Sequence, residues 1–317
     1  MNLRPRIVVL LACAGLGFPL FACGNDREAA PPPDGMTVAV AFYPIEEIVR
    51  NVGGEYVEVV ALTPPGGAPH DLELTAKRAE TLEKARVVFY LGKGFQPAIE
   101  KAVAGLPEGV VKVDLLGAVD LLPVIPKLEG TSGEVDGEEL ADGRDPHVWL
   151  DPKNMVVLTE EVAETLAVVD PDHRDDYLRG SEGYRAKLTA LDGKFGTTLA
   201  NCASRSIVTS HRAFEYLARR YGLKQIAIAG ISPDEEPDPR SLEAVAAAAR
   251  ADGVTVIFFE EQVSPKLSQT VAAEIGATTD TLDPVETVTA EDLERGRTYL
   301  SVQEANLAAL ARALRCS

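Results

Sequence analysis

Short runs rich in β-branched residues alternate with amphipathic helical segments through most of this chain. Eight such runs are predicted as strands: 36–42, 56–62, 86–91, 110–115, 206–210, 224–229, 254–260 and 278–282. Strands that alternate with helical segments are typical of βαβ units, which build parallel sheets. The sequence therefore predicts an α/β fold.

One long amphipathic stretch, 172–200, divides the strands into two groups of four. Its large apolar residues recur at helical spacing and mark one face; they are Tyr177, Tyr184, Leu188, Leu191, Phe195 and Leu199. We therefore predict two lobes, each a four-stranded parallel sheet flanked by helices, joined by one long helix. The predicted divisions are an N-terminal lobe at 36–171, a linking helix at 172–201 and a C-terminal lobe at 202–317.

The first residues have the features of a secretory signal. Arg4 and Arg6 precede an uncharged run, 7–23, which is too short for a comfortable membrane span of about 20 residues. The run ends in Leu-Phe-Ala-Cys at Cys23, which resembles a bacterial lipobox. An ordinary signal with an incidental cysteine is the alternative, and a similar pattern at Cys13 leaves a shorter apolar region.

We predict a lipoprotein signal peptide at 1–22, lipidation of Cys23 and a flexible tether at 23–35. The mature protein is then expected outside the cytoplasm, held to the bacterial cell membrane by lipid.

Charge narrows the possible partners. The 317 residues contain 31 Lys and Arg against 49 Asp and Glu, a formal net charge of −18. Such an acidic surface argues against nucleic acid and anionic lipid as partners and is compatible with cations. Seven carboxylates lie between 129 and 145, within a Gly-rich segment predicted as an acidic loop.

Three of the four histidines follow strands or end the acidic loop. His70 comes after the second predicted strand, His147 ends the acidic loop, and His211 ends the fifth strand. Ligands of parallel sheets bind at the carboxyl ends of strands, which favours these positions. His173 lies among charged residues and is predicted to be solvated.

Asp283 follows the last predicted strand. With the three imidazoles it would complete a four-coordinate site suited to Zn²⁺. The alternative is a turn residue, because Asp-Pro commonly opens a turn.

Five motifs stand out along the chain: PHD at 69–71, DPHVWLDP at 145–152, SHRAFEYLARRYGL at 210–223, GISPDEEP at 230–237 and FFEEQVSP at 258–265. In combination they resemble the motifs of the zinc/manganese substrate-binding proteins of ABC transporters, the cluster A-I solute-binding lipoproteins. The resemblance covers about 36–316 and implies a rigid linking helix with the metal in the cleft between the lobes.

The resemblance implies that His70 and His147 come from one lobe, and His211 and Asp283 from the other. Manganese-type members typically have Glu where His211 stands, and imidazole there suits zinc better. The implied protein is a monomer that binds Zn²⁺ as its transported ligand and delivers it to an ABC-transporter permease.

Three other functions stay open. One is a manganese-binding member of the same family, and another is a secondary role as a surface adhesin. A zinc hydrolase is the enzymatic alternative, because three histidines plus a water form a catalytic arrangement. A fourth protein ligand would take the place of the water, so we expect that the protein has no catalytic residues and is not an enzyme.

Cys202 and Cys316 remain after Cys13 and Cys23 are assigned to the signal region. Two leftover cysteines in an oxidising compartment usually pair, so a Cys202–Cys316 disulfide is predicted. Metal ligation by these thiols is the less favoured alternative.

Overall fold

The computed structural model describes residues 35–70, 72–124, 143–234, 237–261 and 263–317. The predicted signal peptide, the predicted lipidation site Cys23 and most of the acidic loop lie outside the described residues. Within the ranges described, no helix combines the length and apolar character needed to cross a membrane.

The first half of the chain folds around a four-stranded parallel sheet. Its strands are β1 (Met36–Val40), β2 (Val57–Ala61), β3 (Val87–Tyr90) and β4 (Val111–Asp114), in the order β2-β1-β3-β4. Val38, Ala39 and Val40 on β1 are fully buried. Successive side chains of a strand point to opposite faces, so both faces of this sheet are covered. The helices of this half are α1 (Tyr43–Gly53), α2 (Ala76–Lys84), α3 (Pro97–Ala104) and α4 (Pro152–Val169).

A long helix, α5 (Arg174–Thr198), leads from the first half to the second. The predicted face is buried: Tyr177, Tyr184, Leu188, Leu191 and Phe195 are all at most 2% exposed. On α5, Gly180 contacts α1 so closely that a Cβ there would lie 2.6 Å from the Val52 carbonyl oxygen. The helix therefore packs closely against the first half of the molecule near Gly180, whereas its C-terminal part meets the second half, where Phe195 stacks on Tyr221.

The second half repeats the topology of the first. Its strands are β5 (Ser206–Thr209), β6 (Lys224–Ala227), β7 (Val256–Phe259) and β8 (Thr278–Thr281), all parallel and in the order β6-β5-β7-β8. Its helices are α6 (Glu215–Tyr221), α7 (Pro239–Ala251), α8 (Lys266–Ile275), α9 (Ala290–Glu294) and α10 (Tyr299–Leu314). In each sheet the strand order reverses beside its first strand, so a crevice is expected at the carboxyl ends of β1 and β3, and of β5 and β7.

All eight predicted strands are present, each shorter than predicted by one to three residues. The predicted α/β fold with two four-stranded parallel sheets and a long linking helix is thus confirmed. The predicted Cys202–Cys316 disulfide is also present, and it fastens the end of α10 to the segment before β5.

Candidate metal centre

The loop that carries His70 is held by a buried glutamine. Gln96, which is 1% exposed, donates from Nε2 to the carbonyl oxygen of Pro69 (3.1 Å) and to Oγ1 of Thr63 (3.3 Å). The ring of Phe95 packs edge-on against His70, with centroids 4.9 Å apart. The loop after β2 therefore has a fixed path, and His70 itself is only 6% exposed.

His147 is oriented by Asp145, two residues before it. One carboxylate oxygen, Oδ1, accepts from the backbone N–H of His147 (2.9 Å) and lies 2.8 Å from its Nδ1. Tyr216, on α6, donates to the carbonyl oxygen of Asp145 (2.7 Å). When the proton of this fully buried ring is on Nδ1, the lone pair of Nε2 is available to bind a metal ion.

His211 lies between two carboxylates. It follows β5, and its Nδ1 is hydrogen-bonded to Oε1 of Glu260, which follows the neighbouring strand β7. The hydroxyl of Ser210 donates to the same oxygen. On the other side of the ring, Nε2 lies 3.1 Å from Oε1 of Glu286.

The three imidazoles converge on one oxygen atom. The Nε2 atoms of His70, His147 and His211 lie 3.6, 3.5 and 3.1 Å from Oε1 of Glu286. In a tetrahedral zinc site with bonds of about 2.0–2.1 Å, neighbouring ligand atoms lie about 3.3 Å apart. The ligand atoms of these four residues all lie within 4.8 Å of one another. Their spacing and their donor types therefore suit a four-coordinate divalent cation.

The charges in this cluster shift its pKa values strongly. Burial alone would lower the pKa of His211, but the carboxylates of Glu260 and Glu286 outweigh it and raise that pKa to about 10. Burial would lower the pKa of His147 as well, and the Asp145 carboxylate raises it instead. Burial would raise the pKa of Glu286, whereas the charges of His211 and His70 hold it well below its usual range. The two carboxylates beside His211 therefore favour its protonated form.

A cavity of about 130 Å³ opens beside the cluster. Its lining includes five carboxylate residues, which are Asp234, Glu260, Glu261, Asp283 and Glu286. Carboxylates that line a low-dielectric cleft attract cations and raise their local concentration. The approach to the four donors is therefore lined by acidic residues, of which Glu261 and Asp283 are paired with Arg297.

The protein-family profile described as "Zinc-uptake complex component A periplasmic" matches residues 38–313. The chain belongs to this family. The match includes both sheets and all four residues of the cluster, and it confirms the resemblance drawn from the motifs.

Two curated relatives are similar over nearly the whole chain. The zinc-binding lipoprotein AdcA of Streptococcus pneumoniae is 35% identical over 308 residues, which are 96% of this chain and 60% of AdcA. The high-affinity zinc uptake system protein ZnuA of Bacillus subtilis is 34% identical over 316 residues, 96% of this chain and 95% of ZnuA. The chain therefore spans most of ZnuA but less than two thirds of AdcA.

Two solved structures share the fold. The Zn(II)-bound ZnuA-like domain of S. pneumoniae AdcA superposes with a TM-score of 0.74 at 33% identity, over 88% of this chain and 99% of that domain. The laminin-binding protein Lmb of Streptococcus agalactiae, described as bifunctional with adhesin and metal-transporting activity, gives 0.77 at 28% identity, over 88% of this chain and 100% of Lmb.

The structure brings His70, His147 and His211 together but places Glu286 beside them where the sequence suggested Asp283. The carboxylate of Asp283 instead accepts from the N–H of Val285 (2.7 Å) and pairs with Arg297. The geometry therefore favours Glu286 over Asp283 as the fourth donor. Val285, after Pro284, has a positive φ, and the donor that reaches the imidazoles is three residues beyond Asp283.

The remaining predicted residues lie outside the cluster. The thiols of Cys202 and Cys316 are consumed in their disulfide. His173 is partly exposed, stacks on Tyr56 with centroids 4.2 Å apart, and is hydrogen-bonded to Asp170 (2.7 Å). Glu286 was not among the predicted ligands, although its position soon after the last strand made it a candidate in the sequence.

Proposed function

We propose that this protein binds Zn²⁺ outside the cytoplasm and delivers it to the permease of an ABC transporter. The observation that carries the proposal is the convergence of three imidazole nitrogens, from both halves of the chain, on one buried carboxylate oxygen. Three nitrogen donors favour zinc over manganese, because Mn²⁺ prefers oxygen ligands. The names of AdcA and ZnuA support the same choice of metal.

The donor set supports a carrier and not a hydrolase. A catalytic zinc keeps one position for water, whereas a closed site has four protein ligands. Here His70, His147, His211 and Glu286 supply four donors. We therefore propose that the bound zinc is cargo and that the protein is not an enzyme.

We propose further that Cys23 is lipidated and holds a monomeric mature chain at the bacterial cell membrane. The lipobox-like sequence supports this, and AdcA is named a lipoprotein. A Cys23→Ala variant is expected to appear in the soluble extracellular or periplasmic fraction, while Cys13→Ala stays in the membrane fraction. Membrane retention of Cys23→Ala would contradict the anchor. The division into lobes at 36–171 and 202–317 stays part of the proposal.

Metal binding is tested on the chain from residue 24 onward by competition with a chelator of known affinity. One zinc per chain is expected, with Mn²⁺ a much weaker competitor. His211→Ala removes a ligand and is expected to weaken zinc binding by at least about 100-fold. His173→Ala is the matched control, because it removes a histidine outside the cluster and leaves the affinity unchanged. Equal loss in both variants, or equal competition by Mn²⁺, would contradict the proposal.

Delivery is tested in cells that lack the corresponding gene. Growth in zinc-limited medium is expected to need the wild-type chain or His173→Ala, and to fail with His211→Ala. Growth that is independent of His211 would mean that zinc delivery is not the function.

A further inference from the structure

The segment 283–286 ends in Glu286, and its first residue, Asp283, is hydrogen-bonded to its surroundings. Asp283 exchanges two hydrogen bonds with Asn306 of α10: its backbone N–H donates to Oδ1 (2.9 Å), and its carbonyl oxygen accepts from Nδ2 (2.7 Å). Its side chain binds Arg297 through Oδ2. Asp283 is thus tied to the second lobe through both its backbone and its side chain.

The next part of the segment has an unfavourable backbone conformation. Val285 has a φ of +59°, in the left-handed region that β-branched residues rarely adopt, and its side chain is 1% exposed. Such a conformation persists only where the surroundings enforce it. The N–H of Val285 donates to Oδ1 of Asp283 (2.7 Å), so the Asp283 carboxylate is one of the groups that enforce it.

The segment is also fastened to the first lobe. Trp149 donates from Nε1 to the carbonyl oxygen of Pro284 (2.7 Å), and Trp149 is two residues from His147. Glu286 follows immediately after this restrained turn and meets the three imidazoles. The direction in which its carboxylate points therefore depends on the turn that Asp283 closes.

We propose that Asp283, supported by Arg297, is a positioning residue for the metal site: it holds the Val285 turn so that Glu286 reaches the zinc. Asp283 touches no metal itself and acts through the backbone. This inference rests on the proposed zinc-binding function.

The test is a double-mutant cycle on zinc affinity, with Asp283→Ala, Glu286→Ala and the double variant. Asp283→Ala is expected to weaken zinc binding by about 10- to 100-fold, as loss of a residue that orients a metal ligand typically does. In the Glu286→Ala background the same change is expected to weaken binding by less than about 3-fold, because the residue it positions is gone. Asp283→Asn retains an oxygen acceptor for the Val285 N–H and is expected to recover part of the loss.

Asp280→Ala is the matched control. Asp280 also pairs with an arginine, Arg312 (2.9 Å), and also accepts from a nearby backbone N–H, that of Thr281 (2.9 Å). Because it lies outside the cluster, its removal is expected to leave zinc affinity unchanged in both backgrounds.

Equal losses from Asp283→Ala with and without Glu286 would overturn the inference, since they would make Asp283 an independent ligand. A lower melting temperature with unchanged zinc affinity would also overturn it, since Asp283 would then be merely structural. If the alanine variant does not fold, the cycle is run with Asp283→Asn and the same criterion of non-additivity. Failure of the proposed function looks different: the wild type and Asp280→Ala would not bind zinc.

Discussion

At the scale of single residues, His211 has the most unusual environment of the site. Its ring is fully buried between Glu260 on Nδ1 and Glu286 on Nε2. Both carboxylates stabilise the imidazolium form, which accounts for a pKa of about 10 despite the burial. A cation that binds at Nε2 must therefore displace a proton even above neutral pH.

Zinc binding is accordingly expected to release about one proton from His211 at pH 8. The direction of the pH dependence follows from the raised pKa. Below about pH 10 the zinc-free protein holds this proton and the zinc-bound protein does not. The apparent affinity for zinc therefore rises with pH. The increase is about tenfold per pH unit for each proton displaced. Calorimetric titrations at pH 8 in buffers of different ionisation enthalpy measure the number of protons released.

Glu260→Gln tests the cause of this proton release. It keeps a side-chain oxygen for the Nδ1 proton but removes the charge, so the pKa of His211 falls and fewer protons are released at pH 8. Binding enthalpies that do not depend on the buffer in the wild type would show that His211 is already neutral.

At the scale of helices and strands, the close contact between α5 and α1 gives a test with an internal control. A Cβ at Gly180 would lie 2.6 Å from the Val52 carbonyl oxygen, whereas one at Gly183 would contact nothing within 4 Å. Gly180→Ala is expected to lower the free energy of unfolding by about 1–3 kcal/mol. Gly183→Ala is expected to raise it by up to about 1 kcal/mol, because alanine favours the helix. Denaturant titration of the zinc-free proteins measures both; equal effects would contradict this packing.

The disulfide gives a second prediction at this scale. Cys202 and Cys316 are 114 residues apart, and cross-linking a loop of about 100 residues contributes up to about 4.7 kcal/mol in the chain-entropy model. Cys202→Ser/Cys316→Ser is therefore expected to unfold at lower denaturant with zinc affinity nearly unchanged. Zinc binding lost in a variant that is still folded would contradict a purely structural role.

The regular elements were predictable because their apolar periodicity is strong. The sequence predicts every strand in the part of the chain that the structure describes, and it predicts α5 from residues such as Tyr184 and Leu188 at helical spacing. The five residues of α9 give too little periodicity for such a prediction. Glu286 was missed for a different reason. It follows an irregular turn whose direction depends on the positive φ of Val285 and on Arg297, fourteen residues from Asp283.

At the scale of the whole molecule, the metal site belongs to both lobes. His70 and His147 come from the first half of the chain, and His211 and Glu286 from the second. Trp149 bridges the halves where they meet, through its bond to Pro284 and through the hydroxyl of Tyr299, which donates to the Trp149 carbonyl oxygen (2.7 Å). Zinc is therefore expected to act as a cross-link between the lobes.

Because zinc binds the folded chain, it is expected to raise the free energy of unfolding. Free zinc at 100 times its dissociation constant contributes about 2.7 kcal/mol. Unfolding is expected to change the fluorescence of Trp149, which is the single tryptophan of the chain. Melting curves with and without zinc are expected to separate for the wild type and His173→Ala. For His211→Ala at the same zinc concentration the stabilisation is expected to be at most about 0.4 kcal/mol; a full shift in that variant would place the metal elsewhere.

The proposed zinc site is tested most directly by a crystal structure of the zinc-loaded protein, with the metal located by anomalous scattering at the zinc edge. One zinc is expected, bonded to Nε2 of His70, His147 and His211 and to the carboxylate of Glu286, at about 2.0–2.2 Å. Asp283 is expected to keep its contacts with Val285 and Arg297. A zinc bonded to Asp283 in place of Glu286, or bound away from the three histidines, would contradict it.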